Sequence, residues 1–169
     1  PDQFVPLFEQ NGFCSRLDMY MVEKVCQWLR GRMDAGLPAV PVSVNQPKLL
    51  FYETEYVREL CGLIETYGIP AELITLEILE GLAVSRVEEL NRQIRRLKEK
   101  GFRISMDDFG SGYSSLNTLY SIEIDELKLD QVFLTHSSKK QDFRRNKILK
   151  YTIQMAKSLH IVTVAEGVE

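Results

Sequence analysis

Several oxygen-bearing or cationic side chains stand at the ends of short β-type runs. Asn45 closes Val-Ser-Val-Asn, Glu77 lies in Leu-Glu-Ile with Glu80 just beyond, and Asp107 and Asp108 follow Ile-Ser-Met. Lys128 lies in Leu-Lys-Leu with Asp130 after it, and Glu166 follows Val-Thr-Val-Ala. Singly, each has a plain explanation: a turn-forming Asn, a surface Glu, an Asx turn or helix cap at Asp107–Asp108, a solvated edge Lys, a loop Glu before Gly167. Jointly they describe chemistry. Carboxylates gathered in a low-dielectric site repel one another, and a hard divalent cation removes that penalty. Carboxylate and amide oxygens, with no thiolate or imidazole, suit Mg²⁺, Mn²⁺ or Ca²⁺ better than Zn²⁺. More than three carboxylates leave room for two cations, and a pair roughly 4 Å apart can bridge a water and a phosphodiester. Lys128 would orient the water or stabilise charge on the phosphate.

These positions matter only if the elements bring them together. Apolar spacing predicts a helix over 15–35, with Leu17, Met21, Val25, Trp28 and Leu29 on one face and Gly36 and Pro38 ending it. A strand over 41–45 follows, then a helix over 54–67 (Val57, Leu60, Cys61, Ile64) stopped by Gly68 and Pro70. A strand over 73–78 precedes a helix that opens on a Ser85/Glu88 capping box and carries Val87, Leu90, Ile94 and Leu97 before Gly101. The series continues with a strand over 102–106, a short helix over 114–120, a strand over 126–130, a helix over 143–159 and a strand over 161–165.

Helical crossovers between successive strands force parallel pairing. The class is α/β, closed either as an open doubly wound sheet or as a (β/α)8 barrel. In a barrel all strand C-termini meet at one mouth, where barrel active sites sit. Side chains alternate along a strand, so Lys128 shares an interior face with Glu126 and Asp130, while Leu127 and Leu129 face the helices. An interior ammonium requires carboxylate partners. Asp107 and Asp108 are adjacent, so both face the mouth only if the strand ends or bulges there. Phe-Gly-Ser-Gly-Tyr after them supplies the turn.

Composition sets the outer bounds. The 169 residues are 44% hydrophobic and 27% charged with a net charge of −3, an ordinary globular balance without the positive field that duplex nucleic acid requires. No apolar run approaches the ~20 residues of a membrane span. Cys14, Cys26 and Cys61 form no metal-ligand spacing and are expected as reduced thiols in the cytoplasm. The basic stretch 139–150 is expected to be a solvated helix face, and His136 and His160 are expected to be structural or surface residues.

Residues 106–116, Met-Asp-Asp-Phe-Gly-Ser-Gly-Tyr-Ser-Ser-Leu, resemble the DDFGTGYSSL segment of the bacterial EAL-domain cyclic di-GMP phosphodiesterases. Glu77-Ile78-Leu79-Glu80 is similar to that family's Glu-x-Thr-Glu segment, Leu127-Lys128-Leu129-Asp130 to its Leu-Lys-Ile-Asp strand, and residues 164–169 to its Ala-Glu-Gly-Val-Glu segment. Val42-Ser43-Val44-Asn45 is similar to the strand ending in the family's metal-binding asparagine, and Phe4-Val5-Pro6-Leu7, Asn11-Gly12 and Leu17-Asp18 to the stretch after the eponymous motif.

The resemblance implies a (β/α)8 barrel holding two Mg²⁺ or Mn²⁺ ions on Asn45, Glu77, Asp107, Asp108 and Glu166. The catalytic group would comprise Lys128 beside the attacking water, Glu166, and Glu80 supporting the loop after Asp108. The reaction would be hydrolysis of cyclic di-GMP to linear pGpG. A homodimer, GGDEF or sensor domains in a longer cytoplasmic chain, and any membrane anchor upstream also follow from the resemblance. Departures are Ser111 for Thr, Leu79 for Thr and Pro47 for a small polar residue. No Glu-Ala-Leu motif occurs, and its glutamate is a metal ligand in the family. Barrels of this type take ~250 residues, so residues 1–169 are expected to be a partial EAL domain. Its barrel would be incomplete, its hydrolysis weak or absent in isolation, and its sheet edges open to dimerisation or strand exchange. Alternatives are a catalytically degenerate cyclic di-GMP receptor or docking module, and a sugar- or phosphate-processing barrel without cyclic di-GMP affinity.

Overall fold

The computed structural model describes residues 13–46, 55–79, 87–110, 116–133 and 139–167. Strands and helices alternate: α1 (Phe13–Asp34), β1 (Val42–Asn45), α2 (Tyr56–Tyr67), β2 (Ile74–Leu79), α3 (Val87–Glu99), β3 (Arg103–Phe109), α4 (Leu116–Ser121), β4 (Glu126–Leu129), α5 (Lys139–Ser158) and β5 (Val162–Ala165). Single 3₁₀ turns at Ala71–Leu73 and Gln131–Phe133 lead into β2 and out of β4.

The five strands pair in the order β1-β2-β3-β4-β5, all parallel. Sequential parallel neighbours joined by helices form the wall of a (β/α) barrel, here incomplete, and not the doubly wound sheet, whose strand order reverses.

Side chains alternate between the two faces of the sheet as the pleat requires, and the central strand β2 is buried on both from Ile74 to Ile78. Val44, Leu76, Ile78, Ile104, Met106, Leu127 and Leu129 are buried against the helices. Leu90, Ile94 and Leu97 of α3 and Leu60 and Ile64 of α2 meet them from the helical layer. Truncating one fully buried leucine here, such as Leu90, should cost ~2–5 kcal/mol. The opposite row carries Asn45, Glu77, Ser105, Asp107, Glu126 and Lys128, so the packed layer fixes where the polar groups stand.

Helix α1 differs from its expected face. Its buried stripe is Val22, Cys26 and Leu29, while Met21 and Trp28 are exposed. Arg32 stacks over the Trp28 ring at 5.0 Å. The hydroxyl of Tyr67 in α2 donates to Glu23 Oε1 (2.8 Å) and accepts from Gln27 Nε2 (3.0 Å), locking α1 to α2.

Helix α2 ends in a left-handed Gly68 (φ 60°), whose N–H donates to the Glu65 carbonyl while that of Ile69 donates to the Ile64 carbonyl. Helix α5 starts at Lys139, four residues before the expected Phe143. Arg144, Lys147 and Lys150 are exposed, and Lys147 lies over the exposed Phe143 ring. Strand β3 extends three residues beyond the expected 106 and carries Asp107 and Asp108 within it. Ser85 of the expected capping box lies outside the described residues.

Candidate metal-binding and catalytic site

Parallel register aligns the strand ends. Asn45 of β1 is opposite Glu77 of β2, and Leu79 of β2 is opposite Asp107 of β3. Between β3 and β4 the register slips between Met106 and Phe109, and Asp108 adopts the left-handed φ of 57°. This is the bulge that two adjacent mouth-facing aspartates require, and aspartate is among the few residues that tolerate this conformation. The Asp108 N–H donates to Asp107 Oδ1 at 3.0 Å. The chain then leaves through Gly110 (φ 105°), where any Cβ would collide with the Phe133 ring.

Lys128 stands at the centre. Its Nζ lies 3.0 Å from Glu77 Oε1, 3.0 Å from Asp107 Oδ1 and 2.6 Å from Glu166 Oε1. Four strands therefore deliver one ammonium and three carboxylates to one point. The side chains of Lys128, Glu77 and Asp107 are mostly buried, and that of Glu166 is one-third exposed. Burial pushes the ammonium pKa down, but hydrogen bonds to Glu166, Glu77 and Asp107 outweigh it and raise the pKa above that of an ordinary lysine.

Beside it, carboxylate oxygens of Asp107, Asp108 and Glu166 lie within 4.8 Å of one another. Burial raises the Asp108 pKa, and the charges of Asp107, Asp130 and Glu166 add to that rise against the opposing Lys128. Four carboxylates around one ammonium leave an excess of negative charge. This all-oxygen donor set, converging from a strand end and a bulge, fits a hard divalent cation and offers nothing to a soft one.

Of the expected site residues, Glu77, Asp107, Lys128 and Glu166 are in direct contact, and Asp108 joins through the carboxylate group. Asn45 is exposed at the end of β1 and enters by its register with Glu77. Glu80 lies outside the described residues, as do residues 111–115. The structure adds Asp130 to the charge field around Asp108. Strand alternation puts it on the face of Lys128, two residues on. A separate groove of 580 Å³ between α1 and α2, lined by Arg16, Tyr20, Glu23 and Glu59 among others, lies on the helical layer.

An EAL-domain family model matches residues 1–169. The chain is 35% identical over its whole length to cyclic di-GMP phosphodiesterase NbdA of Pseudomonas aeruginosa, covering 21% of that protein. It is 32% identical to the probable cyclic di-GMP phosphodiesterase PdeA of Escherichia coli, again over the whole chain, covering 23% of that protein. It thus spans about a fifth of the length of these curated relatives. The solved PaMucR phosphodiesterase in complex with c-di-GMP superposes with a TM-score of 0.87 at 28% identity, covering all of this chain and 68% of that one.

Proposed function

The chain belongs to the EAL-domain family, and from that premise we propose that the protein carrying it hydrolyses one phosphodiester bond of cyclic di-GMP to give linear pGpG. The observation that carries this reading is Lys128 held within 3.0 Å of Glu77, Asp107 and Glu166, with Asp108 beside them. The relatives named for this activity, and the c-di-GMP complex among the structural neighbours, support it.

In this reading Asn45, Glu77, Asp107, Asp108 and Glu166 hold two Mg²⁺ or Mn²⁺ ions. Bound there, such ions supply Lewis acidity toward the phosphodiester and lower the pKa of water. The residues of the chain do the remaining work. Lys128 acts as a hydrogen-bond donor and a positive charge. It aligns three carboxylates and stabilises negative charge building on the phosphate. In the same reading Lys128 contacts the attacking water, with Glu166, the most exposed of its three partners, beside it. Glu80 supports the loop that follows Asp108. Water would give up a proton as its oxygen adds to phosphorus, the P–O3′ bond would break, and the released O3′ alkoxide would take up a proton, so the one lost by the water balances the one gained by the leaving group.

Residues 1–169 act in this reading as part of an EAL domain within a longer cytoplasmic protein that carries GGDEF or sensor domains and forms homodimers. Among the described residues no helix is long and apolar enough to cross a membrane.

The test is metal-dependent turnover of cyclic di-GMP by the protein that carries this chain, repeated with Lys128→Ala. Turnover that requires Mg²⁺ or Mn²⁺ and falls at least a hundredfold in the variant is expected. Tight cyclic di-GMP binding without turnover would replace the enzyme with a receptor, and neither binding nor turnover would end the nucleotide reading.

A further inference from the structure

Gln46 follows Asn45 and is 3% exposed. A carboxamide is costly to bury unless both its ends are hydrogen-bonded, and here both are. The hydroxyl of Tyr56, itself fully buried at the start of α2, donates to Gln46 Oε1 at 2.6 Å. Gln46 Nε2 donates to the main-chain carbonyl of Asn45 at 2.8 Å. The main-chain N–H of Gln46 donates to the Glu77 carbonyl at 2.9 Å, one step beyond the β1–β2 ladder.

The Asn45 carbonyl and the Gln46 N–H belong to one peptide plane. That plane is pinned at its oxygen by the Gln46 side chain and at its nitrogen by Glu77. Its orientation sets the direction in which the Asn45 Cα–Cβ bond leaves the strand. The same bonds fix the distance between Asn45 and Glu77. Tyr56 holds the brace from behind, from the helical layer.

We propose that Gln46 and Tyr56 are a positioning pair that aims the Asn45 carboxamide and holds it in step with Glu77 for cation binding. This rests on the reading of Asn45 and Glu77 as oxygen donors. Groups that orient metal ligands typically change metal affinity 10–100-fold when removed. A brace that acts through a side chain's own peptide plane belongs at the low end of that range. If the pair served only to glue α2 to β1, its loss would lower stability and leave cation affinity alone.

The experiment is a direct Mn²⁺ titration, read by the electron paramagnetic resonance signal of free Mn²⁺, on the protein without nucleotide. Variants are Tyr56→Phe, which removes one oxygen, Gln46→Met, which keeps the side-chain length, and the pair together. Ile64→Val, in the buried face of α2, serves as the control for stability loss. We expect Tyr56→Phe and Gln46→Met each to weaken Mn²⁺ binding about tenfold. The double variant should be no weaker than Gln46→Met, because Tyr56 acts through Gln46. Ile64→Val should bind as the unaltered protein does. Unchanged Mn²⁺ affinity in Tyr56→Phe and Gln46→Met, alongside a lowered unfolding midpoint, overturns the positioning role while leaving the metal site intact. Unaltered protein whose Mn²⁺ binding is insensitive to Asp107→Asn shows instead that the metal site itself is misread, and the pair's role falls with it.

Discussion

Lys128 Nζ lies 2.6 Å from Glu166 Oε1, across the β4–β5 pair, while the same nitrogen reaches Glu77 two strands away in the other direction. One side chain thus bridges both flanks of the sheet. Without a cation it is the main counter-charge for the carboxylates around it, and with cations bound that burden is shared. The stability of this region is therefore linked to metal.

Lys128→Met removes the bridge and leaves three carboxylates facing one another. Breaking a fully buried ion pair costs ~3–5 kcal/mol, and this partly solvated group should cost on the order of 2 kcal/mol with EDTA present. Saturating Mn²⁺ should return most of that loss, since binding to the folded state stabilises it by mass action. Urea unfolding of both proteins with EDTA and with Mn²⁺ measures the difference, and an equal deficit in the two conditions would contradict it.

Asp108→Asn should separate function from stability. Burial and the charges of Asp107, Asp130 and Glu166 all disfavour the Asp108 carboxylate. Asparagine keeps its size and tolerates the left-handed φ of 57°. The metal-free variant should be slightly more stable than the unaltered protein, a small gain because the carboxyl is largely solvated, while Mn²⁺ affinity drops at least tenfold. Thermal unfolding in EDTA beside a Mn²⁺ titration checks both, and a variant less stable than the unaltered protein in EDTA would show that repulsion is not the dominant effect.

The strand series was readable because each run of Val, Ile and Leu is bounded by turn residues, and the positions of Asn45, Glu77, Asp107, Lys128 and Glu166 at strand ends came with it. Alternation required that the strand either end or bulge at Asp107–Asp108, and the register shift between Met106 and Phe109 shows the bulge. Other features left no such trace. Helix α1 carries two overlapping apolar stripes, and periodicity could not choose Val22-Cys26-Leu29 over Met21-Val25-Trp28. Counting Cys26 as a thiol, when it packs as a small hydrophobe, hid the better stripe. The first turn of α5 holds no apolar residue, so apolar periodicity marks the helix only from Phe143. The Tyr56–Gln46 bond joins residues ten apart with no periodic pattern between them.

Gly110→Ala should disturb the bulge from below. Its φ of 105° is costly for alanine, and the added Cβ would meet the Phe133 ring. Strain and overpacking together should cost ~2–4 kcal/mol. Adding Phe133→Leu should relieve the overpacking but not the backbone strain, so the double variant should recover only part of the loss. Urea midpoints of the two single variants and the double test this, and full recovery would mean that the φ carries no penalty.

Asp18 offers a pH signature away from the strand ends. Asp18 lies in α1, and its partial burial raises its carboxyl pKa to about 6. An acid whose folded-state pKa exceeds its unfolded value favours the folded state while protonated. Its contribution is therefore complete below about pH 4 and is lost as pH rises through about 6. Asp18→Asn stays neutral throughout and should remove that slope. At pH 7.5 the variant should be more stable by on the order of 1–2 kcal/mol, a figure reduced for the half-solvated carboxyl. Below pH 4 the two proteins should unfold at the same urea concentration. Because the other titrating groups are common to both, the difference between their stability curves isolates Asp18. A difference that stays constant from pH 4 to 7.5 would mean that the carboxyl is not desolvated by folding.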